Sequence, residues 1–236
     1  MEYSMTKFEI VGFDADDTLW INESYYRSME DEFYLLMQDY LGQDELAKEL
    51  LQTEIRNIPI YGFGVKSFTL SMIETAIKFS GGKIAIAAIQ HIVDMGKAIL
   101  NHPVELIDDV KGVLQTLNGR YKLILVTKGD LLHQEKKLKE SSLEEFFDHI
   151  EIVSDKTEQD YQKLISHLDI PAEKFLMIGN SLKSDVLPVL NIGGHAYHVP
   201  YQTTWELEKV HEKIDHPNFK ELSSIKEVLD LSLIHI

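Results

Sequence analysis

Apolar residues recur along this chain with two different periods, and the change of period divides it. Phe8–Phe13 (FEIVGF), Lys122–Val126 (KLILV), His149–Val153 (HIEIV), Phe175–Ile178 (FLMI) and Ala196–Val199 are short, β-branched or apolar runs bounded by polar residues. Such runs predict buried strands. Between about Ile21 and Pro103 the spacing is helical, through Met29, Phe33, Leu36, Met37 and Tyr40, and again through Ile89, Ile92, Val93 and Leu100. Gly42, the Asn57–Gly64 stretch and Gly81–Gly82 interrupt it, which predicts four or five helices and no strand. Beyond Pro103 helical patterns alternate with the strands. Val110, Val113, Leu114 and Leu117 form one face, closed by Gly119. Tyr161, Leu164, Ile165 and Leu168 form another, capped by Thr157 with Asp160 three residues on; a third helix ends near Gly193–Gly194. Alternating strands and helices predict an α/β fold, a parallel sheet covered on both faces. The apolar C-terminal LSLIHI reads either as a packed strand or as a chain end without order.

In such sheets ligands bind beyond the carboxyl ends of the strands. Asp14, Thr127, Lys156 and Asn180 therefore belong on one rim. Asp14-Ala15-Asp16-Asp17 puts three carboxylates at the mouth of a buried strand, where repulsion and desolvation oppose them. Asp14 is placed to attack phosphorus as a carboxylate nucleophile. Asp16, two residues on, can protonate the leaving alcohol and then activate water. A carboxylate beside a phosphate needs a cation, and Asp14 with Asp185 supplies hard oxygen ligands suited to Mg2+. Lys156 adds fixed positive charge, and Thr127 with the amides of Lys128 and Gly129 can cradle phosphate oxygens.

These motifs resemble those of the haloacid dehalogenase superfamily. FDADDTLW is similar to its first motif, a strand followed by Asp-x-Asp-x-Thr. LVTKGD resembles the second motif, Lys156 in SDKTEQDY the third-motif lysine, and IGNSLKSDV the fourth motif, usually Gly-Asp-x-x-x-x-Asp. The resemblance implies a Rossmann-like three-layer core, Asp14 as nucleophile, Asp16 as acid and base, and Mg2+ held by Asp14, the Asp16 carbonyl and Asp185. It further implies a discontinuous core, 1–20 and 104–236, with a helical cap at 21–103. Caps of this kind carry specificity residues on Gly-rich turns, which makes Arg56, Tyr61 and Lys66 candidates for substrate contact. Three positions depart from the pattern. Asn180 replaces an acidic residue, which weakens the metal site or moves Asn180 behind it. Lys128 replaces an Asn, its ammonium either touching substrate or solvated. The third-motif lysine lacks a following Pro; Lys163, mid-helix, is the rival to Lys156.

Structural roles are expected for Asp17, Asp155 and Asp130, for His195 and His198, and for Trp20 in the core. The chain of 236 residues has no Cys, excluding disulfides and thiolate chemistry. With 23 Lys and Arg against 39 Asp and Glu, its net charge of −16 argues against nucleic-acid partners and a polybasic membrane anchor. No run approaches the ~18 apolar residues of a membrane span, and MEYSMTKFEI does not read as a secretory leader, so a cytoplasmic protein is expected. The resulting expectation is a Mg2+-dependent phosphatase of a small phosphorylated metabolite, of open oligomeric state. A phosphomutase would use the same groups; a 2-haloacid dehalogenase would need neither Asp16 nor a metal; a receiver-like module or a catalytically dead binding protein complete the alternatives.

Overall fold

The computed structural model describes residues 7–232. The first six residues, part of the segment weighed as a leader, and the last four of LSLIHI lie outside them. The chain forms two compact units, one of residues 1–23, 104–128 and 134–236, the other of 24–103 and 129–133.

Among the described residues, the first unit is built on six parallel strands in the order β3-β2-β1-β4-β5-β6. They are β1 (Ile10–Phe13), β2 (Lys122–Lys128), β3 (His149–Val153), β4 (Phe175–Gly179), β5 (His195–His198) and β6 (Phe219–Glu221). Alternation along the central strands feeds two separate cores. Val11, Phe13, Leu123, Leu125, Leu176 and Ile178 pack with α5 (Val110–Leu117) and α9 (Glu227–Ser232). Ile10, Ile124, Val126, Phe175 and Met177 pack with α7 (Glu158–His167) and α8 (Leu187–Asn191). This is the three-layer, Rossmann-like arrangement expected. The five expected strands are present, β1 starting two residues later and β5 one residue earlier than the apolar runs. β6 was not expected.

The second unit contains α1 (Glu23–Met37, from its second residue), α2 (Gln43–Tyr61), α3 (Val65–Phe79) and α4 (Ile86–Leu100). Met29, Phe33, Met37, Leu46, Leu50, Met72 and Ile92 form its core. Tyr40, expected on the buried face of α1, lies past the helix end and is exposed. The expected break at Asn57–Gly64 is shorter than the sequence implies: α2 runs through Pro59 to Tyr61. Proline removes one helical hydrogen bond, but buried Asn57 donates to Ser71 Oγ of α3 at 3.0 Å and holds the last turns in place. The chain turns only at Gly62 and Gly64, both at positive φ (75° and 114°).

Candidate active site

The parallel register sets Phe13, the last residue of β1, beside Leu125 of β2 and Ile178 of β4, with β2 running on to Lys128. Asp14 follows directly, its N–H donating to Ile178 O at 2.9 Å. The chain then folds into a tight loop, with Leu19 N bonded to Ala15 O (2.8 Å) and Asp17 N to Trp20 O (2.7 Å). Asp17 takes a left-handed conformation, φ 59°. That reversal lets Thr18 Oγ1 donate to Asp14 Oδ2 at 2.9 Å, which explains why the motif needs a hydroxyl at this place.

Asp14, Lys156 and Asp185 are buried together. The Lys156 ammonium donates to Asp14 Oδ1 at 2.5 Å and to Asp185 Oδ1 at 2.6 Å. Burial alone would favour a neutral amine, but the two carboxylates raise Lys156 above the ordinary lysine value and keep it charged. Burial first, then the charge of Asp185, pushes Asp14 up to about 7 against the pull of Lys156. Asp185 Oδ2 accepts from Ser181 N–H at 3.0 Å. Its carboxyl packs so closely over Gly179 that a Cβ there would overlap it. A π-helical turn, Leu182–Val186, carries Asp185 into this position. Lys163, by contrast, is exposed and paired within its own helix to Asp160.

Asp16 is held by three donors. Lys137 Nζ bonds Oδ1 at 2.5 Å, Trp20 Nε1 bonds Oδ1 at 2.6 Å and Gln134 Nε2 bonds Oδ2 at 2.9 Å. Burial would raise its pKa, but Lys137 above all, with Gln134 and Trp20, holds it below the usual carboxylate range. Gln134 and Lys137 sit on α6 (Leu131–Ser141), a helix that the sequence reading did not mark out. Trp20 is buried as expected, and its indole N–H adds a polar role. Asp17 accepts the N–H groups of Asn22 and Glu23 at the start of α1 and is structural; burial pushes it to about 7.

The Asn180 side chain lies against the first-motif loop. Its carboxamide is 3.2 Å from both Asp14 Oδ2 and the Asp16 main-chain oxygen. With nitrogen turned inward the amide donates to both; with oxygen turned inward three acceptor oxygens converge. A hard divalent cation suits the second arrangement. Among the described residues no three His, Cys, Asp or Glu side chains cluster closely enough to hold a metal by themselves; the candidate donors here include a main-chain carbonyl and an amide oxygen.

Thr127 is buried at the end of β2. The Lys128 ammonium is tied within the protein, bonding Glu208 Oε1 at 2.5 Å and Ser184 Oγ at 2.9 Å. Glu208 carries no sequence signal, since it stands in a long connection outside every motif. Asp155 Oδ1 accepts the Lys156 N–H at 2.8 Å. His198 bonds the Asn180 carbonyl at 3.0 Å, and buried His195 packs edge-on against Phe8; neither belongs to a metal cluster.

The remaining candidates group with the second unit. Gly129 follows Lys128 in the chain at φ 143°. Lys66 bonds both oxygens of Asp130 at 2.9 Å, and Asp130 also caps α6 through the His133 N–H at 3.1 Å. Arg56 donates to Thr53 Oγ1 at 2.9 Å on its own helix. Tyr61 is exposed.

A haloacid dehalogenase-like hydrolase family model matches residues 8–193. The chain belongs to this family. It is 41% identical to a haloacid dehalogenase-like family hydrolase from Xanthomonas campestris, with a TM-score of 0.87 over 98% of this chain and 94% of that one. An L-2-haloacid dehalogenase from Xanthobacter autotrophicus shares the fold at 16% identity, TM-score 0.63, over 95% of this chain and 98% of that one. Among curated proteins, the N-acylneuraminate-9-phosphatase of Mus musculus is 31% identical over 93 residues, 37% of this chain and 38% of the relative's length. No described helix is long and apolar enough to cross a membrane.

Proposed function

We propose that this hydrolase is a Mg2+-dependent phosphatase that cleaves a small phosphorylated metabolite through an aspartyl phosphate on Asp14. The observation that carries the reading is the pairing of Asp14 with Asp16. Two carboxyl groups follow one strand end, Asp14 buried against Lys156 and Asp16 part-buried on Lys137, Trp20 and Gln134. Asp14, against the Lys156 ammonium, suits the nucleophile, and Asp16, two residues on and held by side-chain donors of its own, suits proton transfer. Dehalogenation needs no second aspartate, so Asp16 and its three donors support phosphoryl chemistry, as does the similarity to a curated phosphatase.

Asp14 Oδ2, the Asp16 carbonyl, Asn180 Oδ1 and Asp185 would hold the cation, which when bound supplies positive charge against the phosphoryl oxygens. Asp14 Oδ1 attacks phosphorus and the bond to the ester oxygen breaks. The protonated Asp16 gives its proton to that oxygen. Asp16, now a carboxylate, takes a proton from water, whose oxygen attacks phosphorus and frees Asp14. Asp16 as described is in the carboxylate form that this second half requires; acting first as an acid requires it to gain a proton and loosen its bond to Lys137. Lys156 stabilises negative charge at Asp14, while Thr127 and the following amides receive phosphoryl oxygens. The helical unit is read as the cap, with exposed Tyr61 its candidate for substrate contact and Lys66 occupied by Asp130.

Purified protein should release inorganic phosphate from an aryl phosphate in the presence of Mg2+ and release no halide from a 2-haloacid. EDTA and Asp14→Asn should each abolish phosphate release. Turnover that survives Asp14→Asn would remove the nucleophile assignment.

A further inference from the structure

Glu208 sits on a single 3-10 turn, Glu206–Glu208, in the connection between β5 and β6. Its side chain is 12% exposed. Oε1 accepts from Lys128, and Oε2 accepts from Ser184 Oγ at 2.6 Å and from Ser181 Oγ. Burial disfavours its charge, but Lys128 and the two hydroxyls hold it ionised, below the ordinary glutamate range. The network continues inward. Ser181 N–H donates to Asp185, Asp185 accepts from Lys156, and Lys156 reaches Asp14. Glu208 and Asn180 also line one cleft of about 230 Å3. A loop carboxylate thus ties the end of β2 to the turn that carries Asp185.

We propose that Glu208 is a positioning residue that holds Lys128 at the strand-end rim and sets how much of its charge a bound phosphate meets. The inference rests on the phosphatase reading above. An isolated ammonium beside the phosphate site would bind product as a point charge and slow its release. Paired with Glu208, Lys128 presents a nearly neutral couple, and the carboxylate keeps the ammonium against Ser184 rather than on the ligand. Removing either partner unmasks the other's charge, that of Lys128 lessened by the half-exposed Asp155 carboxylate 3.9 Å away, so the two changes must act in opposite directions. A purely structural link predicts something different: loss of either partner loosens the rim and weakens binding.

The test is a double-mutant cycle, Glu208→Gln, Lys128→Met and both together, read by calorimetric binding of inorganic phosphate with Mg2+ present. Glutamine retains a carbonyl oxygen for the serine hydroxyls while losing the charge. Glu208→Gln should bind phosphate about 3- to 10-fold more tightly, Lys128→Met weaker by a similar factor, and the double variant within about 2-fold of the wild type. Single variants that shift in the same direction, or by less than about 2-fold, overturn the proposal. Should Glu208→Gln fail to fold, Lys128→Met against the double variant decides the point: restored binding in the double supports it and unrestored binding overturns it. A wild type that neither binds phosphate nor hydrolyses esters with Mg2+ brings down the functional reading and this inference together. A wild type that turns over but gives a flat cycle brings down the Glu208 inference alone.

Discussion

At Asp16 burial and hydrogen bonding oppose each other, and the donors win. Three groups from two stretches of chain, Trp20 on one side and Gln134 and Lys137 on the other, keep the carboxyl ionised. Lys137 supplies the largest of these opposing effects. Lys137→Met leaves the desolvation in place and removes the cation, so the pKa of Asp16 rises. Where the acid must be protonated for the first step, the alkaline limb of kcat/KM follows its pKa in the free enzyme. That limb should therefore move to higher pH in Lys137→Met, measured with an aryl phosphate. An unmoved limb would assign the proton to another group. The sequence displayed Asp14, Asp16, Thr127, Lys156 and Asp185, because each lies within a few residues of a strand end in a recognisable spacing. It hid Lys137 and Gln134, which reach the site from one face of a polar helix, and Glu208, which arrives from an irregular connection. Their chemistry depends on packing that no local spacing encodes. Lys128 shows the same limit from the other side: its place in the second motif was legible, but its partner 80 residues away was not.

Elements were legible where local pattern and tertiary packing agree. The central strands read as apolar runs because both faces are buried, and α7 announced its start through Thr157 and Asp160. In the structure that start is a full capping box, the Thr157 side chain accepting from the Asp160 N–H and the Asp160 side chain accepting from the Thr157 N–H. The cap immediately follows Lys156 and fixes where β3 hands over to α7. Thr157→Ala should cost about 1 kcal/mol, the usual loss for an N-cap hydroxyl, seen as a lower urea midpoint with an unchanged slope. A midpoint within experimental scatter of the wild type would mean that packing of Tyr161 and Leu164 alone sets the helix start. Elements were illegible where packing overrides local preference. β6 is three residues long, Phe-Lys-Glu, too short to alternate visibly. α2 keeps its proline because Asn57 is anchored to Ser71, a contact between residues 14 apart.

At the scale of the molecule, a net charge of −16 sets the long-range field against any phosphorylated substrate. The lysines of the catalytic unit do not reverse this locally. Lys156 lies between Asp14 and Asp185, Lys137 on Asp16 and Lys128 on Glu208. Each cation at the site is matched by at least one carboxylate, so attraction for phosphate must come from a bound divalent ion and oriented N–H groups acting at short range. Short-range terms of this kind are little affected by salt, whereas repulsion from exposed charges is screened beyond a Debye length of about 10 Å at 0.1 M. Raising monovalent salt from about 10 to about 150 mM at fixed Mg2+ should therefore increase kcat/KM for an anionic aryl phosphate, by up to a few-fold. A site that drew its substrate in through a positive field would lose kcat/KM over the same range. A fall would show that the paired lysines still present a net positive face to incoming phosphate, and the balance of charge assigned to this rim would have to be redrawn.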